Sequence, residues 1–138
     1  MERLKPGIKG IFATTVRREH LASSIGNCGV DVLSTPAIAW LFECAASDAL
    51  NPIMKEGEIS VGTWISVKHI KPTPPGMSVT AAVTLREVKG VRYLFDAEVR
   101  DELEKVAWGH IERAVIDRER FYKGLKKKKE GRRGKDEG

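Results

Sequence analysis

LSTPAIAWLFECAASDAL, residues 33 to 50, reads as a helix that must be buried. Ile38, Leu41, Phe42, Ala45, Ala46 and Ala49 recur at intervals of three and four, which sets them on one helical face. Ala37, Ala39, Trp40 and Cys44 widen that face, so more than one surface has to cover it. Thr35 and Pro36 mark the start, since threonine can cap a free backbone donor and proline fits the first helical position. Asn51 and Pro52 mark the end. Into this apolar surface the chain inserts Glu43, eight positions after Thr35. A carboxylate there is costly to desolvate unless a partner or water meets it.

Beyond the helix the period changes from that of a helix to that of a strand. In residues 59 to 71 the alternation predicts Ile59, Val61, Thr63, Ile65, Val67 and His69 on one face. Residues 77 to 88 repeat it through Met77, Val79, Ala81, Val83 and Leu85, and residues 91 to 102 through Val91, Tyr93, Phe95, Ala97 and Val99. Residues 105 to 117 offer Val106, Trp108 and His110, with Ala107, Ile111, Val115 and Ile116 on the alternative parity. The links PTPPG, KG and DELEK are short enough to make these strands antiparallel neighbours. Ahead of the helix, residues 11 to 20 predict a short strand. Residues 22 to 36 predict a Gly- and Ser-containing connection with a weak strand or helical turn near Gly29 to Leu33. The fold class is α+β: a long helix with a curved antiparallel sheet packed around it.

At 138 residues the chain is one domain with a real core. It holds no apolar run of 18 residues, and MERLKPGIKG lacks the apolar segment of a secretory leader, so no membrane insertion and a cytoplasmic location are expected. Cys28 and Cys44 belong to no CxxC pair and are expected as free thiols. The formal charge of +5 is carried entirely by residues 123 to 138, with eight Lys or Arg against three Asp or Glu. That divides the chain into a domain over 1–122 and a basic tail over 123–138, expected to be disordered for want of apolar residues. No basic and aromatic pattern supports specific nucleic-acid readout. There is no GxGxxG unit and no phosphate loop, and His20, His69 and His110 are too scattered to suggest a metal site.

Glu43 is the leading chemical candidate, as a base or nucleophile in a cleft; the alternative is an exposed helical glutamate sharing a polar stripe with Ser47 and Asp48. His69 shares strand parity with Ile65 and Val67 and reads either as a hydrogen-bonded core residue or as a proton carrier. Thr35 is either the helix cap or a hydroxyl that orients substrate, water or Glu43. On one continuous helix, Thr35 and Glu43 are separated by about 12 Å along the axis and roughly 80° around it. That geometry argues against direct contact within the one helix, so if both belong to one site, substrate length, backbone bending or a second subunit must close the gap, which is a geometric reason to consider a dimeric site. Gly62 and Gly109 interrupt β-rich runs, as bulges or as places of close approach.

LSTPAIAWLFECAA, VGTWISVKHIKPTPPGMSVTAAVTL and WGHIERAVID together resemble the acyl-CoA thioesterases of the hot-dog fold, in particular the fluoroacetyl-CoA thioesterase-like group. The resemblance spans most of residues 5 to 122 and sets Thr35, Glu43, Gly62 and His69 at matching motif positions in the same order. It implies a helix wrapped by an antiparallel sheet and a homodimer with its active sites near the subunit interface. A tetramer built from the same dimer is compatible with it. It also implies Thr35, Glu43 and His69 as the catalytic group and Gly62 as a shaper of the acyl pocket, where Trp40, Phe42 and Cys44 would set a selectivity of this chain's own. The implied reaction is hydrolysis of an acyl-CoA thioester to a carboxylate and free CoA, with no metal and no cofactor. A dimer that binds acyl-CoA without turnover is the competing reading. Lys68, Lys71, Arg113 and the tail are the cations that could meet CoA phosphates.

Overall fold

The computed structural model describes residues 6–137, with side chains through Arg132. Its central helix, α1 (Thr35–Leu50), buries Ile38, Leu41, Phe42, Ala45, Ala46 and Leu50, as the spacing requires. The helix starts where predicted, but its cap is Ser34, whose hydroxyl accepts from the Ala37 N–H at 3.1 Å. Thr35 is thereby a first-turn residue with its own hydroxyl available. A short 3-10 turn, Asn51–Ile53, ends the helical segment.

Five antiparallel strands cover α1: β1 (Lys9–Thr15), β2 (Glu58–His69), β3 (Ser78–Lys89), β4 (Arg92–Arg100) and β5 (Lys105–Asp117). They are ordered β1-β3-β4-β5-β2, which makes β1 and β2 the two edges and α1 the connection between them. The result is the expected α+β architecture, a central helix in a curved antiparallel sheet. The predicted alternation holds on β3 and β4, where Val79, Val83, Leu85, Phe95 and Val99 face the helix and are buried, except at Val91, which falls in the turn before β4 and is exposed. Between β3 and β4 the chain turns through Gly90 at φ +60°, a backbone state that glycine enters without steric cost. β1 crosses α1 so closely that a Cβ on Gly10 would lie 2.8 Å from the Ala49 Cβ and would overlap the Ala45 carbonyl oxygen.

Three expectations need correction. On β2 the alternation does not run unbroken: the register with β5 shifts between Gly62 and Trp64, leaving Thr63 as an extra residue. A one-residue slip exchanges the faces. Ile65, Val67 and His69 therefore face α1, whereas before the bulge it is Ser60 and Gly62 that pair with the inward residues Val115 and Arg113. Near Gly29 to Leu33 no strand forms; Leu33 makes only an isolated bridge to Leu21. Finally, the basic tail is helical, in α2 (Arg118–Glu137). Asp117 caps it by accepting from the Arg120 N–H at 2.8 Å. Lysine, arginine and glutamate are good helix formers, and Glu119 lies one turn before Lys123 at 3.9 Å. The root of α2 meets the body through the half-buried Phe121 and the Arg118 N–H, and the described side chains beyond it, residues 122 to 132, are exposed.

Candidate active site

The bulge in β2 explains how a carboxylate is held at the surface of an otherwise apolar helix. Glu43 leaves α1 towards β2 and finds Gly62, where a Cβ would overlap its Oε1. The missing side chain makes room for the carboxylate. Directly across from Gly62 in the ladder stands Arg113 of β5, whose Nη1 lies 3.5 Å from Glu43 Oε1. The Arg113 side chain is 10% exposed against 47% for Glu43, so a buried cation supports a carboxylate that still reaches solvent. Arg113 is fixed by Ser60, donating from Nε to Oγ at 3.1 Å and from Nη2 to the carbonyl at 3.0 Å. Burial pulls the guanidinium pKa down, and the Glu43 charge pulls it back up. Arginine remains a cation under both influences.

Glu43 and Arg113 open into a cleft of about 520 Å³ that runs beside α1, with Phe12, Trp40, Ser47 and Asp48 along its walls. Trp40 is exposed and flanked by two rings: it stacks on His20 at 5.4 Å and meets Phe12 edge-on at 5.5 Å. Cys44 also reaches the cleft, but burial and then the Glu43 charge push its pKa up, with Arg113 opposing. A thiol in that setting stays protonated near neutral pH and is a poor nucleophile beside the carboxylate.

At the start of α1, Thr35 Oγ1 and His69 Nδ1 share a hydrogen bond of 2.8 Å. His69 Nε2 is buried and has no hydrogen-bond partner among the described residues. Burial pushes the His69 pKa down, with the Lys71 backbone pulling the other way, so the ring favours its neutral form. A neutral imidazole with one nitrogen oriented by a hydroxyl and the other unengaged can accept or donate a proton at that second nitrogen.

The sequence candidates thus form two groups, Glu43 with Gly62 and Thr35 with His69, and the chain does not bring the groups into contact. Arg113, considered from sequence only as a phosphate contact, belongs to the first group; its parity with Ile111 and Val115 was the available signal for an inward side chain. Phe42, expected in the acyl pocket, is fully buried and packs at the Gly109 backbone, so it presents no surface to a ligand. Gly109 itself is a close approach to the Ser66 carbonyl. His110 lies on the sheet's other face, between Ser66 Oγ at 3.3 Å and Asp96 Oδ1 at 3.3 Å. Among the described residues no group of three His, Cys, Asp or Glu side chains is placed to hold a metal, and no helix is long and apolar enough to cross a membrane.

Comparison with known proteins agrees with this architecture. Residues 16–119 match the family model of the fluoroacetyl-CoA-specific thioesterases. The fluoroacetyl-CoA thioesterase of Streptantibioticus cattleyicolor is 37% identical over 98 residues, covering 71% of this chain and 70% of that protein. A crystal structure of a fluoroacetyl-CoA-specific thioesterase variant superposes with a TM-score of 0.84 at 29% identity, over 91% of this chain and 97% of the other. A hot-dog-like protein from Thermanaerovibrio acidaminovorans shares the fold, with a TM-score of 0.85 at 24% identity over 91% and 93% of the two chains. With its buried helix, its five-stranded wrap and three quarters of its length inside the family model, the chain belongs to the fluoroacetyl-CoA-specific thioesterase family of hot-dog proteins.

Proposed function

We propose that the protein hydrolyses a small or medium acyl-CoA thioester to a carboxylate and free CoA, with Glu43 as the group that starts the reaction. The observation that carries this reading is the Glu43 carboxylate, held in an open cleft between Gly62 and the buried Arg113. As a base it takes a proton from water while the oxygen attacks the thioester carbonyl; the tetrahedral adduct then expels the CoA thiolate, which recovers a proton. As a nucleophile it would attack the carbonyl itself, release the thiolate and leave a mixed anhydride for water to open. Both routes need the carboxylate aimed at the substrate, and the Arg113 Nη1 at 3.5 Å from Oε1 supports that placement. Trp40 is the wall against which the acyl group packs.

The reading includes a homodimer. Gly62 and His69 are seven residues apart on β2, about 23 Å at ~3.3 Å per residue, so one chain cannot use both groups on one small acyl centre. β2 is an edge strand. Antiparallel pairing of β2 with its copy, Gly62 opposite the partner's His69, would deliver the second group to the first and create two equivalent sites. A strand edge satisfied in this way also removes an aggregation liability.

The test is CoA-thiol release by wild type and Glu43→Gln across short, branched, aromatic and medium-chain acyl-CoAs, with binding measured in parallel. Turnover that falls at least ~100-fold in the variant while binding persists supports the role of Glu43. Undiminished turnover by Glu43→Gln overturns it, and saturable binding without wild-type turnover replaces hydrolysis by a carrier or sensor.

A further inference from the structure

We infer that the nucleotide end of CoA docks at the root of α2, with its adenine in the cavity there and its phosphates on the basic face of that helix. The inference rests on the CoA-thioester reading above, and concerns a part of the chain that lies mostly beyond the family match, which ends at residue 119.

A cavity of about 490 Å³ opens where β5 passes into α2, away from the Glu43 cleft. Val91, Val115, Ile116 and Phe121 give it an apolar lining, and Glu58, Asp117 and Arg120 supply its polar atoms. That volume is in the range of small-ligand sites. Phe121 brings an aromatic ring to the lining, suited to a planar base, and the Glu58 and Asp117 carboxylates, which already accept from the Lys55 and Arg120 N–H groups, are acceptors of the kind an exocyclic amine requires.

Cations continue from this cavity along the helix. α2 carries ten Lys or Arg against four Asp or Glu. Arg120 and Phe121 both line the cavity and so define the face of α2 turned towards it. Lys127 and Lys128, seven and eight residues after Arg120, return to that face two turns later. The turn between them is occupied by Gly124, where an added Cβ would meet nothing within 4 Å. Arginine, an open turn and paired lysines thus form a cationic trough leading out of an apolar cavity. Glu119 and Glu130 fall on another side of the helix, roughly 100–120° from Arg118 and about 90° from Arg120.

Distance connects the trough with the chemistry. From Arg113 to Asp117 is four residues of β5, about 13 Å at ~3.3 Å each. The cysteamine, β-alanine and pantoate units of CoA amount to roughly four residue lengths, about 14 Å when extended. The Glu43 cleft extends along α1 as far as Asn51, and α2 is tied to the loop after α1 by the Arg118 N–H, which donates to the Gly57 carbonyl at 2.9 Å. A thioester at Glu43 with its arm laid towards the end of α1 would therefore place its phosphates beside α2. Of the cations considered from sequence, Arg113 is already committed to Glu43 and Ser60.

The experiment compares the full chain with the triple variant Arg120→Gln, Lys127→Gln, Lys128→Gln and with a chain ending after Leu125. Hydrolysis of acetyl-CoA and of S-acetyl-N-acetylcysteamine, which has no nucleotide, is followed for each, and binding of free CoA and of pantetheine is measured by calorimetry. In the triple variant, KM for acetyl-CoA and Kd for CoA should rise about ten-fold, the loss expected of two exposed ion pairs, with kcat retained and the salt dependence of KM reduced. The ratio of kcat/KM for the CoA ester to that for the short ester should fall by the same factor. Unchanged CoA affinity in both altered chains overturns the inference. So does an equal loss on both esters, which reports damage to the domain. If CoA binds in an α2-dependent way but wild type releases no thiol from either ester, the docking site stands and the hydrolytic reading fails.

Discussion

Replacing Gly62 by alanine tests the candidate site through the smallest possible change. The new methyl would overlap Glu43 Oε1 and sit 3.2 Å from Glu43 Cδ, yet only 3.7 Å from Arg113 Nη1, an ordinary contact. The guanidinium can therefore stay, while the carboxylate must retreat by about 1.5 Å to reach van der Waals distance. Because the displaced atom is the end of a flexible, half-exposed side chain, the fold should tolerate the change, with stability altered by less than ~1 kcal/mol. Catalysis should not tolerate it: a misplacement of ~1 Å in a reacting group costs on the order of 100-fold. The assay is CoA-thiol release on the best acyl-CoA of the panel, with thermal unfolding of the same preparation. A kcat about 100-fold down at a melting temperature within a few degrees of wild type is expected. Full turnover by Gly62→Ala would refute the placement of Glu43 against β2 as the productive one.

Ser34→Ala removes the helix cap and should cost about 1 kcal/mol, read as a drop of several degrees in melting temperature, whereas Thr35→Ala should leave melting nearly unchanged and reduce kcat. For His69 the folded pKa lies below the unfolded value, so the unfolded chain binds more protons in between. Stability present above pH 6.5 is accordingly lost as pH falls through the folded pKa, and the acid limb of kcat/KM should lie below pH 6.5; urea unfolding from pH 5 to 8 should show a slope that His69→Gln flattens. Gly10→Ala should destabilise by at least ~2 kcal/mol, measured by urea unfolding, because the methyl meets helix backbone that cannot swing aside.

The architecture was legible because it rests on periodicity. One helical stretch and four alternating runs are statements about which faces are buried, and burial is what selects them; the observed strands match their alternation from Val79 to Leu85 and from Tyr93 to Val99. What escaped were features set by a single atom's partner. Ser34 and Thr35 are both competent caps, and nothing in LSTP says which hydroxyl takes the Ala37 N–H, yet the answer decides whether Thr35 is available to His69. In the same way, VGTWIS alternates acceptably in either register. Only the pairing with β5 reveals the extra residue at Thr63, and with it that Gly62, not Thr63, faces the helix. The tail differs for another reason: low apolar content argues against packing, and the described side chains of α2 beyond its root are indeed exposed, but helix formation there needs only a cap at Asp117 and good helix formers after it.

The Arg113–Glu43 pair shows why the site is better understood through chemistry than through stability. Desolvating a guanidinium is expensive, and a buried ion pair often contributes no more to stability than a packed apolar pair of equal volume. Here the balance is poorer still, because Glu43 is half exposed and its closest approach is 3.5 Å, while Arg113 is largely buried. Two bonds to Ser60 offset part of the cost without using the charge. A methionine in place of Arg113 would fill the same space between β5 and α1 at little loss of stability. It could not meet the Glu43 carboxylate as Arg113 does, from Nη1 at 3.5 Å. Ser60, the Thr63 bulge, Gly62 and Arg113 thus act on one object, the position of Glu43, and none of them belongs to the apolar core that Phe42, Phe95 and Ile111 help to form.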